Sequence, residues 1–449
     1  MASTKIQRTL GQNANSGKLT ISVWVKKAGL GEQGICGSWY SGVFHGILYF
    51  SSSDQLVFYD YRNGYIMRKV TTAQFRDVGA WMHIVCNFDH TLSSPTGKIY
   101  VNGVEQTLST DVNYTQGSAS SWLTDYPFNI GTYDGGSNYF NGNMSDFYFI
   151  QGQVYSPSTF GETDATTGIW KPKTEVTVDY SSTGNNSCHL KFENSANMDL
   201  DSGDNNVSFT TTGNLTQTID TPSNNFATLN PLDNAVLTLS EGNTKATHSD
   251  SGGGEENRAT LGAANGKWYF EFQIQHTVGS LNPFAVGMMS NTGRNPLESD
   301  LKSTEAFTSA WHTDSSVNRI ESRVSGSSTL LNCNLSYPDN GDIVNVAMDL
   351  DNGRVFFGKN GTYINDASGD TGNPSTGANP PVSFTTGGHF YFPAIHNRGS
   401  QGLTVSLNTG QPSFSISSGN ADANGYGNFE YAVPSGYYAL CTKNLAEFG

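Results

Sequence analysis

In the segment Leu19-Thr-Ile-Ser-Val-Trp-Val25, Leu19, Ile21, Val23 and Val25 fall on one side of an extended chain and Trp24 on the other. A period of two is the repeat of a β-strand, whose successive side chains point to opposite faces. The same alternation recurs in Lys267-Trp-Tyr-Phe-Glu-Phe-Gln-Ile274, with Trp268, Phe270, Phe272 and Ile274 inward. The other apolar runs are short: 46–51, 56–61, 81–88, 98–101, 128–131 and 144–150, then 235–239, 284–289, 343–350, 354–358, 390–395 and 403–407. No window sustains an apolar period of 3.6 with capping residues at both ends. Two strand series separated by a polar stretch predict an all-β chain: two antiparallel β-sandwich modules, jelly-roll-like, in tandem.

Turn chemistry supports this reading. Asn102-Gly103 supplies the two positive φ angles of a type I′ turn and predicts a hairpin between 98–101 and Val104. Asp351-Asn352-Gly353 and Asn360-Gly361 mark two more turns. The predicted organisation is a polar arm at 1–17, a sandwich at 18–170, a connector at 171–230 partly packed on the first module, and a second sandwich at 231–449. Within the Ser-, Thr-, Asn- and Asp-rich stretch from 156 to 229, only 175–178 and 189–192 are expected as strands.

The formal net charge is -15 and the basic residues are scattered singly, so clustered Lys and Arg for phosphate-backbone binding are absent. Nucleic acid and anionic membrane surfaces are therefore not expected partners. Five cysteines lie far apart without a C-x-x-C pair, which fits buried thiols in a chain made in a reducing cytosol. The first residues carry no apolar core of a secretory signal, and no stretch is expected to enter a membrane.

The motifs Ile21-Ser-Val-Trp-Val-Lys26, Trp81-Met-His-Ile-Val85, Ile99-Tyr-Val-Asn-Gly103, Ile130-Gly131 and Tyr139-Phe-Asn-Gly-Asn-Met-Ser-Asp146 follow one another in order. Their series resembles the concanavalin A-like, laminin-G-type lectin fold over about the first 150 residues. Gly266-Lys-Trp-Tyr-Phe-Glu271, Ala285-Val-Gly287, Val346-Ala-Met-Asp-Leu-Asp351, Val355-Phe-Phe-Gly-Lys-Asn-Gly361 and Phe390-Tyr-Phe-Pro-Ala394 resemble a SPRY domain over residues 231–449. Ser156-Pro-Ser-Thr-Phe-Gly-Glu162, Thr167-Gly-Ile-Trp-Lys-Pro172, the stretch 220–230 and Ala439-Leu-Cys-Thr-Lys-Asn-Leu445 resemble segments of tail-fibre-like virion proteins of tailed phages, especially marine ones. These resemblances imply a virion structural protein, made in the host cytoplasm and located on the particle. It would be held by other virion proteins, self-associate as a homo-oligomer with a trimer favoured, and meet host-surface glycan or protein. A divergent glycan-degrading enzyme and a non-viral SPRY-type interaction module remain the alternatives.

Sandwiches of the first type include glycosidases, whose chemistry needs carboxylates on alternate residues of one strand, in the pattern E-x-D-x-(x)-E. Glu162-Thr-Asp164 begins that pattern, but Ala165, Thr166 and Thr167 follow and the segment is expected as a loop, so no catalytic residue is assigned. The acidic stretch 199–206 departs from an EF-hand loop and is expected as a solvated turn cluster. No cofactor is expected, although the laminin-G resemblance implies calcium at the rim with Asp134 or Asp146 as ligands. His83 is expected as a packed structural residue, and no G-x-S-x-G elbow is present.

Sugar recognition needs aromatic faces together with amide or carboxylate groups. Aromatics expected on rim loops, and so as ligand contacts, are Trp39, Tyr40, Trp122, Tyr126, Tyr133 and Tyr139 in the first module. Trp311, His312 and Tyr337 are their counterparts in the second.

Overall fold

A computed structural model describes residues 4–11, 17–40, 44–123, 126–181, 186–233, 237–248, 255–276, 284–291, 308–313, 318–324, 327–386, 388–397 and 403–449. The chain divides into two compact units, Met1–Ser223 and Asn224–Gly449. Both are built almost wholly of antiparallel strands.

The first unit contains β1 (Lys5–Thr9), β2 (Lys18–Lys27), β3 (Gln33–Tyr40), β4 (Phe44–Phe50), β5 (Gln55–Arg62), β6 (Tyr65–Gln74), β7 (Trp81–Asp89) and β8 (Thr96–Val101). These are followed by β9 (Val104–Glu105), β10 (Leu108–Val112), β11 (Pro127–Ile130), β12 (Gly142–Gln151), β13 (Gly161–Thr163), β14 (Trp170–Pro172), β15 (Cys188–Leu190) and β16 (Thr210–Thr212). An eight-stranded sheet runs β10-β6-β5-β4-β3-β11-β1-β16 and a six-stranded sheet β15-β12-β2-β7-β8-β9, with β13 and β14 forming a separate pair. The core lies between the two sheets. Leu19, Ile21, Val23 and Val25 of β2 meet Leu48, Phe50, Leu56 and Phe58 of β4 and β5 in one buried cluster. Each such side chain contributes about 1.5–3 kcal/mol on burial. Asn102 and Gly103 have φ of 48° and 81°, the conformations the β8–β9 turn requires.

Three sequence expectations are corrected here. Of the arm expected at 1–17, the described residues 4–11 belong to the sandwich: β1 pairs with β11 and β16, and Ile6 and Leu10 are buried. Ile6 is the one apolar residue of β1 in the core, on the same face as the half-buried Arg8, whose guanidinium lies over Phe209. The segment 175–178 is irregular rather than a strand, although Val176 and Val178 pack on the six-stranded sheet, and the strand expected at 189–192 is Cys188–Leu190. Glu162 and Thr163 lie in β13 rather than a loop.

The residues after β12 roof the outer face of the six-stranded sheet. Val85, Tyr148 and Ile150 point outward, yet they are buried beneath Phe160, with Tyr155, Val176, Val178 and Tyr180 packed around them. That face is closed.

The second unit has a nine-stranded sheet centred on Lys267–Ile274, flanked by Ile343–Asp349 and Leu403–Asn408. Its six-stranded sheet runs Glu255–Arg258, Tyr391–Asn397, Phe284–Ser290, Thr308–Thr313, Asn318–Val324, Ser327–Asn332. Trp268, Phe270, Phe272 and Ile274 are all fully buried in the core between them, as their alternation requires. A short helix, Thr442–Phe448, follows the last strand.

Candidate functional site

The alternation that sends Leu48, Phe50, Leu56 and Phe58 inward sends His45 and Tyr49 of β4, and Tyr59 and Tyr61 of β5, to the outer face of the eight-stranded sheet. The register then aligns one row across four strands. Trp39 is opposite His45, His45 opposite Tyr61, and Tyr61 opposite Tyr65. Directly opposed residues on one face lie close enough for their rings to touch. Trp39 stacks on His45 with ring centroids 3.9 Å apart, and His45 and Tyr61 lie 5.3 Å apart. Tyr61 and Tyr65 meet edge to face at 5.3 Å. Beside this row, Tyr59 contacts both Tyr49 and Tyr65 edge-on, and the guanidinium of Arg68 sits 4.7 Å over the Tyr65 ring.

A loop completes the platform at its other edge. Gly34 and Gly37 of β3 have no side chain, and a Cβ on Gly37 would stand 2.9 Å from the Tyr133 Cβ. That gap lets residues 131–138 lie down on the sheet, where Tyr133 reaches Tyr49 at 5.3 Å and Trp39 at 6.4 Å. The Tyr133 hydroxyl donates to Glu32 Oε1 at 2.5 Å and accepts from Asn138 Nδ2 at 2.6 Å. Burial pushes the Tyr133, Tyr49 and Tyr59 hydroxyls above their ordinary range, so all three stay protonated at neutral pH. Unlike the roofed sheet opposite, this face presents exposed rings among the described residues, with Trp39 39% and Tyr65 47% exposed, while His45 between them is buried.

Of the residues expected to contact a ligand, the structure brings Trp39 and Tyr133 together on this platform and stacks Tyr40 on Tyr126 at 4.6 Å. Tyr139 is half-buried ahead of β12. Two expectations are corrected: Trp122 and Trp311 are fully buried core residues. Trp122 donates its indole N–H to the Tyr59 carbonyl, and Trp311 lies on a strand and donates to Asn318 Oδ1. Tyr337 packs against the second core. His312 falls on the strand Thr308–Thr313, and its side chain lies outside the described residues. Missed by the sequence reading were His45, Tyr49, Tyr59, Tyr61, Tyr65 and Arg68. Their signal was the second, outward set of aromatics in strands read only for their inward set.

The carboxylates have local structural partners. Asp134 Oδ1 accepts the N–H groups of Gly136 and Ser137 within its own loop. Asp146 sits at a bulge in β12 with φ 48° and faces His189 Nε2 at 3.3 Å. Asp201 is buried rather than solvated, and it accepts from the backbone N–H groups of His189, Gly203 and Val207. Among the described residues no three His, Cys, Asp or Glu side chains converge as a metal site. Glu162 and Asp164 both face Lys171, at 3.7 and 3.0 Å.

One pair has the outward form of a nucleophile and base. Ser22 Oγ lies 2.8 Å from His83 Nε2. The indole N–H of Trp170, however, donates to His83 Nδ1 at 3.1 Å. An Nδ1 that accepts leaves the proton on Nε2, so the imidazole donates to Ser22 and cannot take its proton. Burial lowers the His83 pKa to about 3, and the ring is stacked on Trp24 at 4.6 Å. This is packing, as the sequence reading expected.

Residues 3–159 match the family model of the concanavalin A-like lectin/glucanases superfamily, laminin-G type. No curated protein matches the sequence. Among solved structures, the SPRY domain of human HERC1 is 19% identical, with 40% of this chain and 96% of that one covered and a TM-score of 0.29. Mouse laminin alpha1 chain domains LG4-5 are 8% identical, with 90% and 85% covered and a TM-score of 0.29. Domain 4 of AbnA, a GH43 extracellular arabinanase from Geobacillus stearothermophilus solved with arabinotriose, is 17% identical, with 31% and 63% covered and a TM-score of 0.25. The chain is nearly all-β, with multiple antiparallel sheets, and its first unit is a concanavalin A-like, laminin-G-type jelly roll.

Proposed function

We propose that this chain is a non-catalytic binding protein whose first unit holds a saccharide across the row Trp39, His45, Tyr61 and Tyr65, displayed on a tailed-phage particle. The row itself carries the reading. Trp39 and Tyr65, the exposed rings at the two ends of the row, offer π surfaces to sugar C–H groups, braced by the buried His45 and by Tyr61 between them, with Glu32, Asn138 and the tyrosine hydroxyls beside them for sugar hydroxyls. Solvent-facing aromatics grouped in this way mark binding surfaces more often than isolated ones do. Against turnover stand the Lys171-paired carboxylates at 162 and 164 and the protonation of His83 on the wrong nitrogen for a base.

Display on a virion rests on the resemblance of the segments at 156–162, 167–172, 220–230 and 439–445. On this reading other virion proteins hold the chain, it associates as a trimer, and the ligand belongs to the host surface. Affinity electrophoresis through gels containing bacterial polysaccharides tests binding. Retardation without release of reducing ends is the expected result, whereas time-dependent oligosaccharide release overturns the non-catalytic reading. Light scattering tests association: a single 48.4 kDa species at all concentrations overturns the trimer.

A further inference from the structure

We infer that the saccharide held on this face carries a carboxylate and that Arg68 selects it, a step that rests on the glycan reading above and names its ligand class. Arg68 lies opposite Tyr59 in the register of β5 and β6, and its guanidinium stacks over Tyr65. A guanidinium over an aromatic ring keeps a planar fork of N–H donors, which suits a planar carboxylate.

That fork is unspent. Arg68 Nε is buried and has no hydrogen-bond partner. Its neighbour Lys69 is paired with Asp111, and Arg76 at the far end of the same hairpin faces Asp54, whereas no acid pairs with Arg68 among the described residues. Because Nε is enclosed, the edge a ligand oxygen can reach is the outer one, the two NH2 groups of this half-buried side chain. A neutral sugar brings only hydroxyls to it, and a carboxylate brings a charged acceptor.

The opposite edge of the platform has the reverse polarity. Glu32, held by the Tyr133 hydroxyl, is an acceptor for sugar hydroxyls. Both Glu32 and Arg68 lie close enough to Tyr49 and Tyr59 to act on them electrostatically. The tyrosines therefore lie between an acceptor and a donor, which gives a bound sugar one orientation, with its acid at Arg68. A net charge of -15 makes the face a poor general polyanion binder, so attraction to acid sugars has to come from this local pairing.

The test uses the full chain and affinity electrophoresis on polygalacturonate, alginate and polysialate, each beside its carboxyl-reduced counterpart, with dextran sulfate as a control for charge alone. At least one acidic polymer should bind with a dissociation constant about tenfold below that of its reduced form, as expected for a charge-assisted hydrogen bond. Arg68→Gln should abolish that ratio, Arg68→Lys should recover part of it, and Trp39→Ala should weaken the acidic and reduced forms alike. Equal binding of the two forms, a ratio that survives Arg68→Gln, or dextran sulfate held as tightly as the carboxylated polymer overturns the inference and leaves the glycan reading standing. Retention of none of the polymers overturns both. An unshifted thermal transition in Arg68→Gln separates lost recognition from lost folding.

Discussion

Glu271 reaches Tyr431 across 160 positions of sequence: its Oε1 accepts the Tyr431 N–H at 2.9 Å. The same carboxylate accepts from the Glu430 N–H, the Asn408 amide and the Tyr269 hydroxyl. It sits fully buried in the central strand of the nine-stranded sheet, and burial raises its pKa against those four donors. A buried donor left unsatisfied costs about 1–3 kcal/mol. Glu271→Ala strands several, so the second unit should lose at least about 3 kcal/mol even where water reaches some of them. Calorimetry should show the second unit's transition falling while the first unit's stays in place, with Glu271→Gln between wild type and Ala.

Trp39 and Tyr65 contribute modestly to folding and directly to holding the proposed ligand. Both are more than a third exposed but each packs on platform neighbours, so replacement by Ala should cost about 1–2 kcal/mol without unfolding the unit. Each stacking surface is worth about 0.5–1.5 kcal/mol, which predicts glycan affinity reduced about two- to tenfold by either change. A variant that unfolds, or one that binds as wild type does, contradicts this assignment.

His83 and Asp60 give the first unit opposing responses to acid. His83 is held neutral with a pKa of about 3, below its unfolded value. It therefore contributes stability above pH 6.5 that is lost as pH falls toward 3, about 3 kcal/mol of it by pH 4. Asp60 is fully buried beside Tyr114, Ser120 and Ser121, and burial raises its pKa to about 6. Its protonated form is the favoured one in the folded state, so stability rises as pH falls from 7 toward 4, by about 2 kcal/mol. The histidine outweighs the acid. Urea unfolding should show a net loss of stability between pH 7 and pH 4, deeper in Asp60→Asn, which removes the compensating term. A loss that is shallower in Asp60→Asn contradicts the sign given to Asp60.

What the sequence disclosed and what it hid have separate physical origins. The inward residues of β2 and of Lys267–Ile274 were legible because burial demands strict alternation. Asn102-Gly103 was legible because few other pairs adopt two positive φ angles. The aromatic row was hidden because Trp39, His45, Tyr61 and Tyr65 come from four strands, and only the register brings them into line. Reading loops for ligand contacts also admitted Trp122 and Trp311, whose indole N–H groups find backbone and amide acceptors inside their cores. Gly34 and Gly37 gave no hint of Tyr133, since a close approach is invisible until both partners are placed.

The opening segment supplies the last prediction. The sequence alone predicts a polar arm at residues 1–17, whose loss would leave the sandwiches intact. In the structure β1 lies between β11 and β16, with Ile6 opposite Ile130 and also opposite Thr211. Leu10 is buried just beyond it and donates its N–H to the Tyr126 carbonyl. Deleting residues 1–11 uncovers the edges of two strands and removes Ile6 and Leu10 from the core, each worth about 1.5–3 kcal/mol. Truncation should therefore destabilise the first unit and promote aggregation through the newly exposed edges. Ile6→Ala should reproduce part of the loss with β1 still paired. A truncated chain whose first unit melts at the wild-type temperature would show that β1 adds nothing to the sandwich and would restore the arm.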